Sequence, residues 1–256
     1  MDMSETKELL DLALSIGKSA ADYLMNRPAT FELISKSTAI DIATQMDKGS
    51  EDLIVSTILK ARPDDGIIAE EGSAKDSKSG ITWVIDPLDG TVNYLYGLPG
   101  WNVSIAAKDT DGTIVGVVVA PTINSLWHAS RGGGAFFNNR AITCNDPIEL
   151  DRALLATGFA YDVEDRKIQI EYMQRLVPNI RDMRRNGAAA VDLCFVAMGA
   201  IDGYFESGLK EWDLAAGALI ASEAGAVVVT YSAILPATSI AAGPRLHKVL
   251  KATLGL

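Results

Sequence analysis

The sequence predicts a mixed α/β protein, with an α+β opening half followed by a half in which strands and helices alternate. Three observations carry that expectation. Apolar residues recur at helical spacing as far as Arg62, short β-rich runs replace them from Gly66 onward, and strand-like and helix-like stretches take turns beyond Asn145-Asp146-Pro147.

Taken in order, residues 4–25 put Leu9, Ala13, Ile16, Ala20 and Leu24 on one helical face, and Pro28 follows the end. Residues 47–62 open on an acid, group Leu53, Ile54, Ile58 and Leu59, and stop at Pro63. The polar stretch 35–44 between them reads as a connection. Residues 66–71 and 82–86 read as strands, and 101–107 with 113–120 as a hairpin about the turn 108–112. A glycine-rich turn at 131–134 feeds 135–138. The punctuation at 145–147 divides halves 1–146 and 147–256, expected to form one unit. Beyond it, 153–157, 183–185, 203–206 and 226–230 read as strands, and 164–176, 188–198, 213–224 and 244–254 as helices.

Composition narrows the function classes. The 256 residues carry 33 Asp and Glu against 23 Lys and Arg, a formal charge of −10. A phosphate-backbone binder needs a basic face and a peripheral membrane helix needs Lys and Arg, so duplex nucleic acid and anionic lipid are excluded as expected partners. With 48% hydrophobic residues, the chain has enough apolar surface for a large core. The opening MDMSETKELLDLA is acidic where a signal peptide is basic, and no run of about 18 apolar residues occurs, so a cytoplasmic protein is expected. Cys144 and Cys194 form no CxxC and have no His pair nearby; both are expected as small core residues rather than zinc ligands or a disulfide.

The chemistry is concentrated in Trp83-Val-Ile-Asp86-Pro-Leu-Asp89-Gly90-Thr91. An apolar strand meets Pro87, which cannot continue a ladder, and two carboxylates three residues apart emerge at its end. Such close acids repel one another unless a cation neutralises them, and hard oxygen donors favour Mg²⁺ or Mn²⁺ over zinc. The alternative is an acidic turn with Asp89-Gly90 closing a hairpin. Glu70-Glu71 again end an apolar run, although an acidic pair there also suits a solvated turn. Asp213, and likewise Asp47, stands where a helix N-terminus wants a capping acid.

Taken together, these segments resemble the inositol monophosphatase family of metal-dependent sugar phosphatases. The resemblance rests on DxxTxxD at Asp41, Thr44 and Asp47, on Glu70-Glu71, and on WVIDPLDGTxNY at 83–94. It continues through RGGGAFFN at 131–138, RRNGAAAVDL at 184–193 and EWDLAAGALIASEAG at 211–225. It implies a layered αβαβα sugar-phosphatase fold with two sheets and flanking helices. It also implies up to three Mg²⁺, with Mn²⁺ as a substitute, on the side chains of Glu70, Asp86, Asp89 and Asp213 and the carbonyl of Leu88, with Asp47 reaching the metals or their waters. Phosphate would sit on Gly90 and Thr91, Thr91 and Asp47 would orient the attacking water, and Glu70 would be its base. Glu206 and Ala189 would meet the polyol hydroxyls, and Lys36 and Ser37 would belong to a mobile loop over the phosphate.

The implied activity is hydrolysis of inositol-1-phosphate or a similar polyol phosphate, by a homodimer with lithium sensitivity as a family trait. Sister families act on fructose-1,6-bisphosphate, histidinol phosphate or 3′-phosphoadenosine nucleotides, and some bacterial relatives serve as regulatory binding partners. Two departures stand out: residues 230–243 replace the family's turn and are read as an altered surface loop, and Gly158-Phe-Ala-Tyr161 replaces polar residues on the substrate side. His128 and His247 lie outside all these motifs, and His128 is expected to be structural.

Overall fold

The computed structural model describes residues 2–36, 41–233 and 235–256. In chain order they form α1 (Met3–Met25), β1 (Leu33–Ser35), β2 (Ile42–Thr44), α2 (Gln45–Ala61), β3 (Gly66–Ala69), β4 (Ala74–Lys75), β5 (Thr82–Asp89), α3 (Thr91–Tyr96) and the pair β6 (Asn102–Asp109) and β7 (Gly112–Ala120). There follow β8 (Ser125–Ser130), β9 (Gly134–Phe137), β10 (Arg140–Ala141), β11 (Leu154–Thr157), α4 (Val163–Leu176), β12 (Asp182–Arg184), α5 (Ala189–Ala197), β13 (Gly203–Ser207), α6 (Glu211–Glu223), β14 (Val227–Tyr231), β15 (Thr238–Ala242) and α7 (Pro244–Leu254).

Three apolar clusters stack these elements into five layers. Leu9, Ile16 and Leu24 of α1 and Ile54 and Ile58 of α2 pack on Trp83, Ile85, Ile105 and Val117, one face of the larger sheet. The other face, with Val84, Ala106 and Val118, packs on α5 and α6, which rest in turn on Ala156, Tyr204 and Ala241 of the smaller sheet. The far side of the smaller sheet, with Leu155, Phe205 and Ile240, is covered by Tyr172 and Leu176 of α4 and Leu246 and Leu250 of α7. The αβαβα expectation is therefore met. Burial on both faces explains why β5, β6 and β7 read as nearly continuous apolar runs rather than alternating ones.

The larger sheet runs β10-β9-β8-β7-β6-β5-β3-β4 and the smaller β12-β11-β13-β15-β14. Two sequence expectations need correction. Thr238–Ala242, read inside an altered surface loop, is a wholly buried strand that pairs antiparallel with both β13 and β14. Its run Thr-Ser-Ile-Ala-Ala is short and low in β-branched bulk, so it gave a weak strand signal. Residues 35–44, read as a connection, hold the last residue of β1 and all of β2, two three-residue strands paired with each other. Cys194 is buried as expected, whereas Cys144 is only half-buried; both thiols are free. His128 stacks on Phe136 at 5.1 Å, in keeping with a structural role.

Candidate metal and phosphate site

The site is built where β5 departs from regular pairing. Side chains alternate along a strand, so carboxylates three residues apart would point to opposite faces. Asp86 pairs with Ser104 and Asp89 with Asn102, three steps on β5 against two on β6. The extra residue is a β-bulge. It returns Asp89 to the face of Val84 and Asp86, toward α5 and α6, while Leu88 joins Trp83 and Ile85 on the other side. Pro87 was expected to end the ladder; instead it lies in the bulge, and pairing resumes at Asp89. Ser50 of α2 pins the detour by donating its Oγ to the Pro87 carbonyl at 2.9 Å.

Asp86 is 2% exposed and Asp89 8%. Burial pushes Asp86 well above the usual carboxylate range, and Glu70, Asp89 and Asp213 push it further. Asp89 is pushed up to about 6 by burial, partly offset by donors from Asn102 and the Ala190 amide. Asp213 is raised by burial and by Asp89, Glu70 and Glu206, even though the amide of Lys210 donates to its Oδ2 at 2.6 Å. Its capping role and its place among the acids therefore coexist, and α6 begins at Glu211, two residues earlier than expected.

Glu70 leaves β3 in a turn that α2 holds in place. Glu51 is fully buried, and its carboxylate accepts the amides of Glu71 at 2.7 Å and Ser73 at 3.0 Å. Lys36 extends its Nζ to Glu70 Oε1 at 2.8 Å and also to Glu71. The expected loop member Ser37 lies outside the described residues. Asp47 is fully buried and joins two elements: its Oδ2 accepts the amide of Thr44 at 2.8 Å in a capping box, and its Oδ1 lies 2.9 Å from Thr91 Oγ1. The same hydroxyl is 3.2 Å from the Leu88 carbonyl. Burial raises the Asp47 carboxyl, with the Thr44 and Thr91 bonds opposing.

Gly90 turns the chain from β5 into α3 at φ 85°, a left-handed conformation, and a Cβ there would press on Gly187 O, Ala188 Cβ and Trp101 Cα at 3.3 Å. The first amides of α3 follow directly, a group of donors suited to an anion. Across the site, Ala189 opens α5, and Glu206 of β13 accepts the Tyr204 hydroxyl at 2.5 Å. Burial pushes Glu206 up to about 7, so it is no solvated strand end. Gly158 lies against that carboxylate: a Cβ there would collide with both of its oxygens. Asp192, one turn into α5 and buried, is pushed up to about 8 by burial against a hydrogen bond from Asn186.

The structure thus brings Glu70, Asp86, Asp89 and Asp213 within electrostatic reach of one another, with Asp47, Leu88, Gly90 and Thr91 along one edge. Among the described residues these acids do not close into a shell of three or more around an ion position, and no basic side chain pairs with Asp86, Asp89 or Asp213. Asp86 and Asp89 are buried, Glu70 and Asp213 half-buried; mutually repelling and oxygen-only, the set fits a hard divalent cation. Sequence reasoning missed Ser50, Glu51 and Asn102, whose parts depend on the bulge and the turn.

The sequence model of the inositol monophosphatase family matches residues 2–254. A Pasteurella multocida protein named Nus factor SuhB is 41% identical over 94% of this chain and 93% of its own. A Mycobacterium bovis inositol-1-monophosphatase is 38% identical over 88% and 85%. Among solved structures, the extragenic suppressor protein suhB of Bartonella henselae superposes with a TM-score of 0.91 at 30% identity, covering 96% of this chain and 98% of that one. The inositol monophosphatase of Anabaena gives 0.85 at 32% identity, covering 97% and 96%. Phosphatase chemistry and metal dependence are general features of that family, and by this match across nearly its whole length the chain belongs to the inositol monophosphatase family.

Proposed function

We propose that the chain is a Mg²⁺-dependent phosphomonoesterase that hydrolyses inositol-1-phosphate or a similar polyol or sugar phosphate to the alcohol and inorganic phosphate. The observation that supports it most is the bulge that turns Asp86 and Asp89 to one face, against Glu70 and Asp213, with no cation of the described chain on three of the four. The side chains of Glu70, Asp86, Asp89 and Asp213 and the carbonyl of Leu88 would hold up to three Mg²⁺, and Mn²⁺ suits the same donors. When bound, such ions supply a lowered water pKa and neutralise charge that builds on the ester oxygens.

The chain's own groups do the rest. The amides of Gly90 and Thr91 hold the phosphate, and the tight turn at Gly90 lets the backbone approach it. Asp47, fixed by Thr44, sets the Thr91 hydroxyl, and together they orient the attacking water. Glu70 accepts its proton, in-line attack at phosphorus breaks the ester P–O bond, and the leaving oxygen takes up a proton from solvent water as the alcohol departs. Glu206 accepts hydroxyls of the polyol beside Ala189, with Tyr204 fixing the carboxylate. A homodimer belongs to this proposal and is read by sedimentation.

The test is release of phosphate from a panel of inositol-1-phosphate, fructose-1,6-bisphosphate, histidinol phosphate and a 3′-phosphoadenosine nucleotide, ranked by kcat/KM with Mg²⁺ and with EDTA. The proposal expects a polyol monophosphate to lead and EDTA to abolish release. Release that survives EDTA contradicts the metal dependence, and a nucleotide or bisphosphate in the lead contradicts the substrate class. The relatives named Nus factor SuhB favour a second reading, in which the same fold also acts as a binding partner. Partner capture that is equal for wild type and Asp86→Asn supports that reading alongside catalysis.

A further inference from the structure

Asn102 breaks a packing rule at the edge of the site. It is fully buried on β6, directly opposite Asp89 once the bulge has reset the register. Its Nδ2 donates to Asp89 Oδ2 at 2.9 Å, while among the described residues no donor reaches its own Oδ1. A buried carbonyl left without a partner is costly, and a strand core flanked by Trp101 and Val103 would accept an apolar residue of the same size without that cost. Such local violations concentrate where function demands a group that packing alone would reject.

The demand here is visible in what Asp89 receives. The amide of Ala190, at the start of α5, donates to the same Oδ2 at 2.9 Å. Two donors from two different elements therefore converge on one oxygen, and the Ala189 amide also bonds this carboxylate, so its plane is fixed from β6 and from the start of α5. We propose that Asn102 is a positioning residue that locks the Asp89 carboxylate in the orientation it presents to a divalent cation. This rests on the reading of Asp89 as a metal ligand. An outer partner of this kind raises metal affinity by orienting its ligand rather than by touching the ion.

The test is Mn²⁺ binding to the full chain, followed by calorimetry and by the electron paramagnetic resonance of the bound ion, for wild type, Asp89→Asn, Asn102→Ala and Asn102→Leu. The apolar Leu variant keeps the volume of the site should the Ala variant fold poorly. Folding is checked by metal-free melting. The expected result is about 10–100-fold weaker Mn²⁺ binding in the Asn102 variants. Their KM for Mg²⁺ should rise, with kcat largely recovered at saturating Mg²⁺, because the ligand is mis-set rather than lost. Wild-type Mn²⁺ affinity in a folded Asn102 variant, while Asp89→Asn binds weakly, overturns the role of Asn102 and leaves Asp89 as a ligand. Wild-type affinity in Asp89→Asn itself overturns the reading on which the inference rests.

Discussion

At the residue scale the site is a set of carboxylates that the fold buries against their preference. Asp192 shows the consequence outside the proposed metal ligands. Its folded-state pKa, about 8, lies above the ordinary 3.8, so between those values the folded chain holds a proton that the unfolded chain has lost. Stability therefore falls as pH rises through that window and levels off above it. Asp192→Asn, which can still accept from Asn186, should gain on wild type steadily from pH 5 to pH 8 and reach an advantage of about 1 kcal/mol or more. Denaturant titrations of the metal-free chain measure this; a difference independent of pH would contradict the assignment. Gly158 gives a second residue-scale expectation. Gly158→Ser should displace Glu206 and raise KM for inositol-1-phosphate about tenfold or more, with little change for a small aryl phosphate that lacks the polyol.

At the element scale, what matters is how strands are ended. Glu51 ties the turn after β3 to α2 through two amides, so Glu51→Gln replaces one acceptor with a donor facing an N–H. Released from that clamp, Glu70 should lose register, with phosphate release down about tenfold or more and metal-free stability lower by about 1–3 kcal/mol. Activity at the wild-type level in a folded Glu51→Gln would show that the turn holds itself. Much of this scale was legible in the sequence. The period change at Gly66 and the acids at the ends of β3 and β5 lie in local pattern and turn chemistry. The bulge was not legible, since one inserted residue on β5 is defined only against its partner β6, and a spacing of three by itself argues for opposite faces. Glu51 inside a helix pattern and Asn102 inside a hairpin strand carry no local signal for the same reason: their partners lie across the fold.

For the whole molecule, the five layers explain why carboxylates so distant in sequence can meet. α6 lies between the two sheets, so its first turn brings Asp213 to the end of β5 that carries Asp86 and Asp89. The net charge of −10 gains a partial cause here, because three bound Mg²⁺ would bring it to about −4. Mg²⁺ that binds only the folded chain should raise the melting temperature, with about 2.7 kcal/mol of stabilisation at a hundredfold excess over Kd. Asp213→Asn should blunt that rise, and an equal rise in both would place the ions elsewhere. Phosphate release from inositol-1-phosphate in Mg²⁺, measured for wild type and Asp86→Asn side by side, decides whether the buried carboxylates at the end of β5 hold the ions for phosphoester hydrolysis. A fall of about a hundredfold or more in a folded variant is the predicted result; a rate equal to wild type would contradict the account.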